Sequence, residues 1–252
     1  MNKNFSLEIC VGSIESCFEA EKGGADRVEL CDNLFEGGTT PSISTIIYAK
    51  EHLTLDTMVM IRPRGGDFLY SDVEFELMKK DVEYCKKIGV KGVVFGLLMS
   101  DGKVDKQRVK ELVEIAKPLD VCFHRAIDMS NDYLVAGRDI VDCGCNRILT
   151  SGQANKAIEG VDNIFSLQHL LGNKIEIMAG SGVNEDNVAE IYEKTKINAF
   201  HLSAKRTIKG NMIFHQKNVS MGGVDSVSEY DIIQTDCNRV KKVRDKLTRL
   251  FL

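Results

Sequence analysis

The chain has 252 residues, of which 43% are hydrophobic and 28% charged, and its formal net charge is −4. This composition is typical of a globular protein with a sizeable core, and its acidic balance argues against a general nucleic-acid binder. No apolar run approaches the roughly 20 residues that cross a bilayer, and the amino terminus lacks a signal-peptide stretch, so we expect a cytosolic protein without a membrane partner.

Strands and helices are predicted to alternate along the chain. The predicted strands lie at 5–11, 26–31, 57–62, 91–96, 120–124, 146–150, 174–179 and 198–203. The predicted helices lie at 14–22, 42–53, 72–88, 105–117, 133–143, 155–171 and 184–195, with a last helix at 226–250. The segment 204–225 is predicted to be irregular and to lie over one face of the fold.

Eight strands alternating with helices indicate parallel βαβ units. Their number and the chain length favour one (β/α)8 TIM barrel, a single domain over residues 1–252, rather than an open doubly wound sheet. The sequence Val11-Gly-Ser-Ile-Glu-Ser16 after the first strand lacks a G-x-G-x-x-G fingerprint. A dinucleotide-binding fold is therefore disfavoured.

Two strands end in the same pattern, Glu8-Ile-Cys10 and Glu29-Leu-Cys31. Side chains alternate along a strand, so each Glu shares a face with its Cys, and parallel neighbours would bring two carboxylates and two thiols together. Strands lie roughly 4.8 Å apart, which lets Cys10 and Cys31 hold one soft ion such as Cu(I) between them. Two buried structural cysteines, or a disulfide that a reducing cytosol disfavours, are the alternatives.

The same alternation predicts which side chains face the barrel interior. The predicted inward set is Glu8, Cys10, Arg27, Glu29, Cys31, Met58, Met60, Arg62, Cys122, His124, Arg147, Ser151, Glu176, His201 and Ser203. Buried acids, arginines and histidines are unfavourable unless they pair or meet a ligand. Internal ion pairing is the plain alternative; taken together, the set favours a site at the carboxyl-terminal mouth.

Loops at this mouth predict a small anionic ligand. Arg62 and Arg64 suit a phosphate or carboxylate, and the glycine-rich segment 179–183 after strand seven resembles the usual anion cradle of barrels. The predicted anion-binding residues are Arg62, Arg64, Ser151, Gly180, Gly182 and His201.

Acid–base chemistry is a second hypothesis for the same mouth. His124 ends strand five, and a histidine near carboxylates transfers protons near neutral pH. Glu8, Glu29 and His124 are therefore the predicted catalytic groups of such an enzyme. The chain lacks the H-x-H and H-E-x-x-H spacings, so zinc hydrolase chemistry has little support.

Several longer motifs resemble the CutC family of copper homeostasis proteins. They are Glu8-Ile-Cys10, Gly24-Ala-Asp-Arg-Val-Glu-Leu-Cys31, Gly37-Gly-Thr-Thr-Pro-Ser42, Ile61-Arg-Pro-Arg-Gly-Gly-Asp-Phe-Leu-Tyr-Ser71, Phe123-His-Arg-Ala126 and Ile148-Leu-Thr-Ser-Gly152, and the resemblance extends beyond Met221-Gly-Gly223. It implies a cytosolic, often oligomeric TIM barrel with a role in copper handling, and it makes Cys10 and Cys31 the proposed Cu(I) ligands. Thr39 and Ile127 depart from the family pattern, and neither is a proposed ligand.

The first hypothesis is therefore a cytosolic, homo-oligomeric copper homeostasis protein that binds Cu(I) through Cys10 and Cys31. The second is a barrel enzyme acting on a small phosphorylated or carboxylated substrate. The third is a non-catalytic scaffold, in which substitutions at the mouth change stability alone.

Overall fold

A closed barrel of eight parallel strands, joined in chain order, forms the body of this computed structural model, which describes residues 4–216, 218–219 and 228–252. The strands are β1 (Ser6–Val11), β2 (Arg27–Leu30), β3 (Asp56–Met60), β4 (Gly92–Phe95), β5 (Asp120–Phe123), β6 (Arg147–Thr150), β7 (Glu176–Ala179) and β8 (Ala199–Leu202). The predicted (β/α)8 barrel is confirmed, and each barrel strand lies within its predicted range except β3, which begins one residue earlier, at Asp56.

Helices connect the strands and cover the outside of the barrel. They are α1 (Ile14–Lys22), α2 (Ile43–His52), α3 (Asp72–Ile88), α4 (Lys106–Ala116), α5 (Tyr133–Asp142), α6 (Val161–Leu171) and α7 (Val188–Thr195). The apolar residues at helical spacing in α3 are buried, and a Ser71–Glu74 capping box begins the helix.

Two helices begin later than predicted. The Ala157 amide donates to the Ser181 carbonyl, which ties the start of the predicted 155–171 helix to the loop after β7. The Asn184 side chain accepts from the Asp186 amide in a turn instead of capping α7. In both cases local hydrogen bonds to loop groups replace the first helical turn.

The carboxyl-terminal part differs most from prediction. A strand β9 (Lys205–Lys209), within the segment predicted to be irregular, pairs antiparallel with β10 (Asp231–Thr235). The predicted 226–250 helix is wrong over β10, where the β-branched residues Ile232 and Ile233 suit a strand. The helix in this part of the chain is α8 (Cys237–Leu250), which begins after its cap, Asp236. Residues 217 and 220–227 lie outside the described residues. The same holds for the corresponding parts of the predicted irregular segment 204–225 and of the predicted helix 226–250, and for the Met221–Gly223 motif.

The barrel interior is filled in layers of four side chains from alternate strands. The strands of such a barrel are tilted, with a shear of about 8. On each next strand, the residue at the same height along the barrel axis is therefore about one position beyond the hydrogen-bonded partner. This offset, applied to the strand register, identifies the members of each layer. The lower layer is Glu8, Met58, Cys122 and Met178; the middle layer is Glu29, Val94, Leu149 and His201; the upper layer is Cys10, Met60, His124 and Gly180. The interior is thus a packed second core, separate from the one between strands and helices.

Candidate functional site

Two free thiols meet where β1 and β2 approach the mouth. Cys10 lies near the end of β1, Cys31 directly follows β2, and their sulfur atoms are 3.9 Å apart. Cys31 is buried and Cys10 is half-buried. The parallel pairing of β1 with β2 produces this approach, as the Glu-x-Cys repeat predicts, and no disulfide joins the two residues.

A carboxyl and an imidazole complete this cluster. Glu29 Oε2 lies 3.5 Å from Cys31 Sγ and 3.6 Å from His201 Nε2. Two groups with metal-ligand atoms within 4.8 Å of one another share Glu29: Cys10–Glu29–Cys31 and Glu8–Glu29–His201. Glu29 Oε1 is buried and has no hydrogen-bond partner among the residues that the structure describes. We call Cys10, Cys31, Glu29 and His201 the thiol cluster.

Glu8 supports the thiol cluster from below. Its carboxylate accepts from Arg27 Nε at 2.5 Å and lies 2.7 Å from His201 Nδ1. Glu176 lies beneath it and bonds to Arg147 and Arg27. Glu8 is therefore part of a buried ion network, and its contact with Nδ1 leaves His201 Nε2 directed toward Glu29.

Burial and neighbouring charges give the acidic groups opposite pKa shifts. Burial would raise the pKa of Glu8, but Arg27 and His201 hold it well below its usual range. Burial raises the pKa of Glu29 well above its usual range, against the effect of His201. The carboxylates accordingly hold the His201 pKa well above its ordinary value, although burial opposes this. These shifts favour an imidazolium at His201, held on the Glu8 carboxylate.

The thiols also differ from each other. The hydrogen bond from Cys31 lowers the pKa of Cys10 well below its usual value, with a further contribution from His201. The same hydrogen bond and burial raise the pKa of Cys31. The lowered pKa favours the thiolate of Cys10, the form that binds metals and reacts as a nucleophile, while the raised pKa favours the protonated thiol of Cys31.

His124 lies in the same upper layer as Cys10 but on the opposite side of the barrel. Its Nδ1 accepts from the Ala126 amide, so the neutral ring carries its proton on Nε2, which is buried and has no partner among the described residues. Burial, with the nearby Arg62, lowers the His124 pKa to about 3. The ring packs against Phe68 at 5.0 Å between centroids. The sequence predicted carboxylates near His124, but the groups that shift the His124 pKa include no carboxylate.

The two predicted anion-binding arginines have partners within the protein. Arg62 donates to the carbonyls of Glu36, Gly38 and Gly66, which fixes the loops after β2 and β3. Arg64 bonds to Glu74 and Asp67 at the outer surface. Both guanidiniums are therefore engaged by groups of the protein itself.

Ser151 belongs to a buried network built on Asp128. The Asp128 carboxylate accepts from Thr150 Oγ1, from the amide and hydroxyl of Ser151 and from the Gln153 amide, and it pairs with Arg125. The network joins the loops after β5 and β6. The importance of Asp128 was missed in the sequence, although its position three residues after Arg125 is a usable signal.

The glycines after β7 allow close packing. A Cβ at Gly180 would lie 2.5 Å from Leu149 Cδ1, and one at Gly182 would lie 2.9 Å from Lys156 Cγ. The Gly180 amide continues the strand ladder by donating to the Thr150 carbonyl. His201, predicted to bind an anion with them, instead lies between Glu8 and Glu29.

Comparison with known proteins identifies the family. The model of the CutC family matches residues 5–206. A CutC family protein from Bacteroides fragilis is 46% identical over 247 residues, covering 98% of each chain. The human copper homeostasis protein cutC homolog is 44% identical, covering 94% of this chain and 87% of its own.

A solved structure of CutC from Streptococcus agalactiae superposes with a TM-score of 0.75 at 33% identity, covering 79% of this chain and 98% of its own. The chain therefore belongs to the CutC family, whose human relative is named for copper homeostasis. None of the helices in the described ranges combines the length and apolar character that a membrane crossing requires.

Proposed function

We propose that this member of the CutC family binds Cu(I) at the barrel mouth through the sulfur atoms of Cys10 and Cys31, as a copper homeostasis protein of the cytosol. The observation that carries the proposal is the 3.9 Å separation of two free sulfur atoms. Metal–thiolate bonds are about 2.3 Å long, so two of them reach across at most about 4.6 Å, and one ion fits between the sulfurs. The copper is cargo in this proposal.

The donor chemistry fits Cu(I) better than a harder ion. Thiolates are soft ligands and select Cu(I), whereas a site for Mg²⁺ or Ca²⁺ would present oxygens alone. Glu29 Oε2 lies next to Cys31 and offers a third ligand atom. The His201 imidazolium lies close enough to stabilise the Cys10 thiolate before the ion arrives.

Binding of one Cu(I) displaces the proton that Cys31 shares with Cys10. The proposal therefore requires proton release on binding, and copper affinity falls as the pH falls. A homo-oligomeric state is part of the same proposal.

An anaerobic titration with Cu(I) against a chromophoric chelator tests the proposal. We expect Cys10→Ser/Cys31→Ser to lose one equivalent of chelator-resistant Cu(I), with an affinity loss at this site above about 100-fold, which exceeds the usual effect of losing an outer partner. Cys237→Ser, on α8, is the matched control and should bind as the wild type does. Equal stoichiometry and affinity in the wild type and the double variant would refute the thiolate site.

The enzyme hypothesis has one specific observation in its favour. Glu29 Oε1 and His124 Nε2 are buried without hydrogen-bond partners in the described part of the chain, and such atoms are the usual contacts of a polar ligand. Arg62 and Arg64, which that hypothesis assigns to a phosphate or carboxylate, donate to groups of the protein, although Arg62 Nε is likewise buried without a partner among the described residues. Acid–base catalysis on a small anionic substrate stays a prediction, and we place it second to copper binding.

A further inference from the structure

The exposed apolar side chains of the helices are concentrated on one side of the barrel. In the described chain, α4 to α8 carry two large exposed apolar residues, Val135 and Phe165, whereas α1 to α3 carry seven. The seven are Phe18, Ile43, Ile47, Tyr48, Val73, Leu77 and Tyr84. We call them the outer apolar face. Single exposed apolar residues are ordinary on a protein surface, but a concentration of them marks an interaction site.

Helix α3 has apolar residues on two sides. Val73, Leu77 and Tyr84 are spaced by four and seven residues, so they form one stripe along the exposed side of the helix. The stripe on the opposite side is buried against the barrel and consists of Phe75, Met78, Val82 and Cys85. The barrel core therefore accounts for the second stripe and leaves the first without a partner within the described chain.

Helix α2 repeats this arrangement beside α3. It packs between α1 and α3, and its Ile46 and Ala49 are buried. Ile43 and Ile47, four residues apart, are 45% and 39% exposed, and Tyr48 next to them is 46% exposed. A surface helix of a monomer is usually polar on its outer side. The two neighbouring helices thus share one apolar exterior.

The area of this exterior matches one half of a protein interface. The six apolar residues of α2 and α3 on the outer apolar face are between 39% and 71% exposed. At roughly 200 Å² for each large side chain, they expose on the order of 600 Å². The largest apolar patch of a monomer is usually about 300–600 Å², and one side of a standard interface buries about 800 Å². With its polar rim, the face is large enough for a stable dimer.

The charges around the outer apolar face balance. The exposed charged residues that flank it on α2 and α3 are three acids and three bases: Lys50, Glu51, Glu76, Lys80, Glu83 and Lys87. An acidic membrane or a nucleic acid would require a basic surplus, which this surface lacks. The whole chain has a net charge of −4, so two copies repel each other unless they meet through a locally neutral face. A two-fold contact also allows acids of one copy to meet bases of the other.

We propose that the outer apolar face is the contact surface between two copies of this chain, related by a two-fold axis. Helices α2 and α3 form its centre, and Phe18 of α1 lies at its edge. The inference rests on the homo-oligomeric state that is part of the proposed function, and it assigns that state a surface. The face lies outside the barrel and contains neither Cys10 nor Cys31, so the apo-protein should associate without copper.

Sedimentation equilibrium of the apo-proteins at micromolar concentration tests the face. We expect the wild type to be a dimer, and Val73→Asp and Leu77→Asp to be monomers. Each substitution occurs twice in a two-fold contact and places a carboxylate in an apolar interface, so the dissociation constant should rise at least about 100-fold. A larger wild-type assembly that breaks down in both variants would support the same contact.

Val135→Asp is the matched control, because it makes the same substitution at an exposed valine, 41% exposed, on α5. It should remain a dimer, and so should the conservative variant Leu77→Met. Both replaced residues of the face are about half exposed or more, so their variants should fold, which circular dichroism verifies.

Different failures of the experiment are distinguishable. A dimer that persists in Val73→Asp and Leu77→Asp overturns this surface and leaves the homo-oligomeric state standing. A monomeric wild type overturns both, and binding of that monomer to phosphatidylcholine vesicles would assign the face to a lipid surface instead. Dissociation of Val135→Asp to the same extent as the face variants also overturns the assignment. None of these outcomes alters the Cu(I) titration that tests Cys10 and Cys31.

Discussion

The two sides of the barrel mouth contain similar residue types but differ in how fully their polar atoms are bonded. On the side of β1, β2 and β8, the thiol cluster has two free sulfurs and a Glu29 oxygen without a hydrogen-bond partner in the described part of the chain. On the side of the loops after β5 and β6, the Asp128 network satisfies its carboxylate with hydroxyls, amides and Arg125. Residue type alone does not identify a binding site. The two free sulfurs beside the Glu29 oxygen are the reason for proposing the first side as the site and the Asp128 network as its support.

The largest expected effect comes from breaking the supporting side. Asp128→Ala removes a carboxylate on a side chain that is only 5% exposed. The amides of Ser151 and Gln153 then lose their hydrogen-bond acceptor, and Arg125 loses its ion-pair partner. Leaving a buried hydrogen-bond donor without its acceptor costs about 1–3 kcal/mol, and Asp128 accepts from four donors besides the half-exposed Arg125, so the loss should reach about 3 kcal/mol. We expect a loss of this size in the free energy of unfolding, measured by urea denaturation.

The affinity for Cu(I) separates support from site in the same variant. Folded Asp128→Ala should hold Cu(I) at the mouth as tightly as the wild type, whereas Asp128→Asn should recover part of the stability because its amide oxygen still accepts hydrogen bonds. A stable Asp128→Ala variant with weakened copper binding would reverse the roles that we assign to the two sides.

An intermediate effect concerns the protonation of Glu29. Burial raises the pKa of Glu29 well above the unfolded value of about 4.3, so the folded apo-protein retains a proton that the unfolded chain loses. This contribution to stability is complete below about pH 4.3 and declines as the pH rises toward the folded pKa. Glu29→Gln has no such proton. As the pH rises, its free energy of unfolding relative to that of the wild type should therefore increase, by up to about 1.4 kcal/mol per pH unit.

Urea denaturation of the apo-proteins between pH 5 and 6.5 measures this difference, which should reach up to about 2 kcal/mol across the interval. Glu185→Gln is the matched control, because the hydrogen bond from Arg239 holds the Glu185 pKa below its usual range, so the carboxylate is already ionised over this interval in both states. Its difference from wild type should stay constant over the interval. A constant difference for Glu29→Gln as well would contradict a protonated Glu29.

The barrel was predictable from the sequence because local patterns coincide with the global fold. Alternating apolar strands and capped helices such as α3 lie where the periodicity predicts them. The β9–β10 hairpin was not predictable in the same way. Its exposed strand β9 has the sequence Lys-Arg-Thr-Ile-Lys, without an apolar face, and its pairing is determined by the partner strand.

The candidate site was only partly predictable. The repeated Glu-x-Cys pattern correctly placed Cys10, Cys31 and Glu29 together, because the β1–β2 pairing follows from adjacent strands. His201 joins them only through closure of the barrel, which brings β8 beside β1. Whether Arg62 is free or bonded depends on the conformation of loops, and the sequence does not specify which carbonyls turn toward it.

The smallest expected effect tests the remaining alternative for the mouth. Arg64 is 38% exposed, and its ion pairs with Glu74 and Asp67 lie at the surface, so Arg64→Gln should lower stability by at most about 1 kcal/mol. Because Arg64 is bonded away from the thiol cluster, phosphate titrated into wild type and variant, followed by isothermal calorimetry, should give the same response. A loss of phosphate binding in Arg64→Gln would return this residue to the site and would favour an enzyme acting on a phosphorylated substrate.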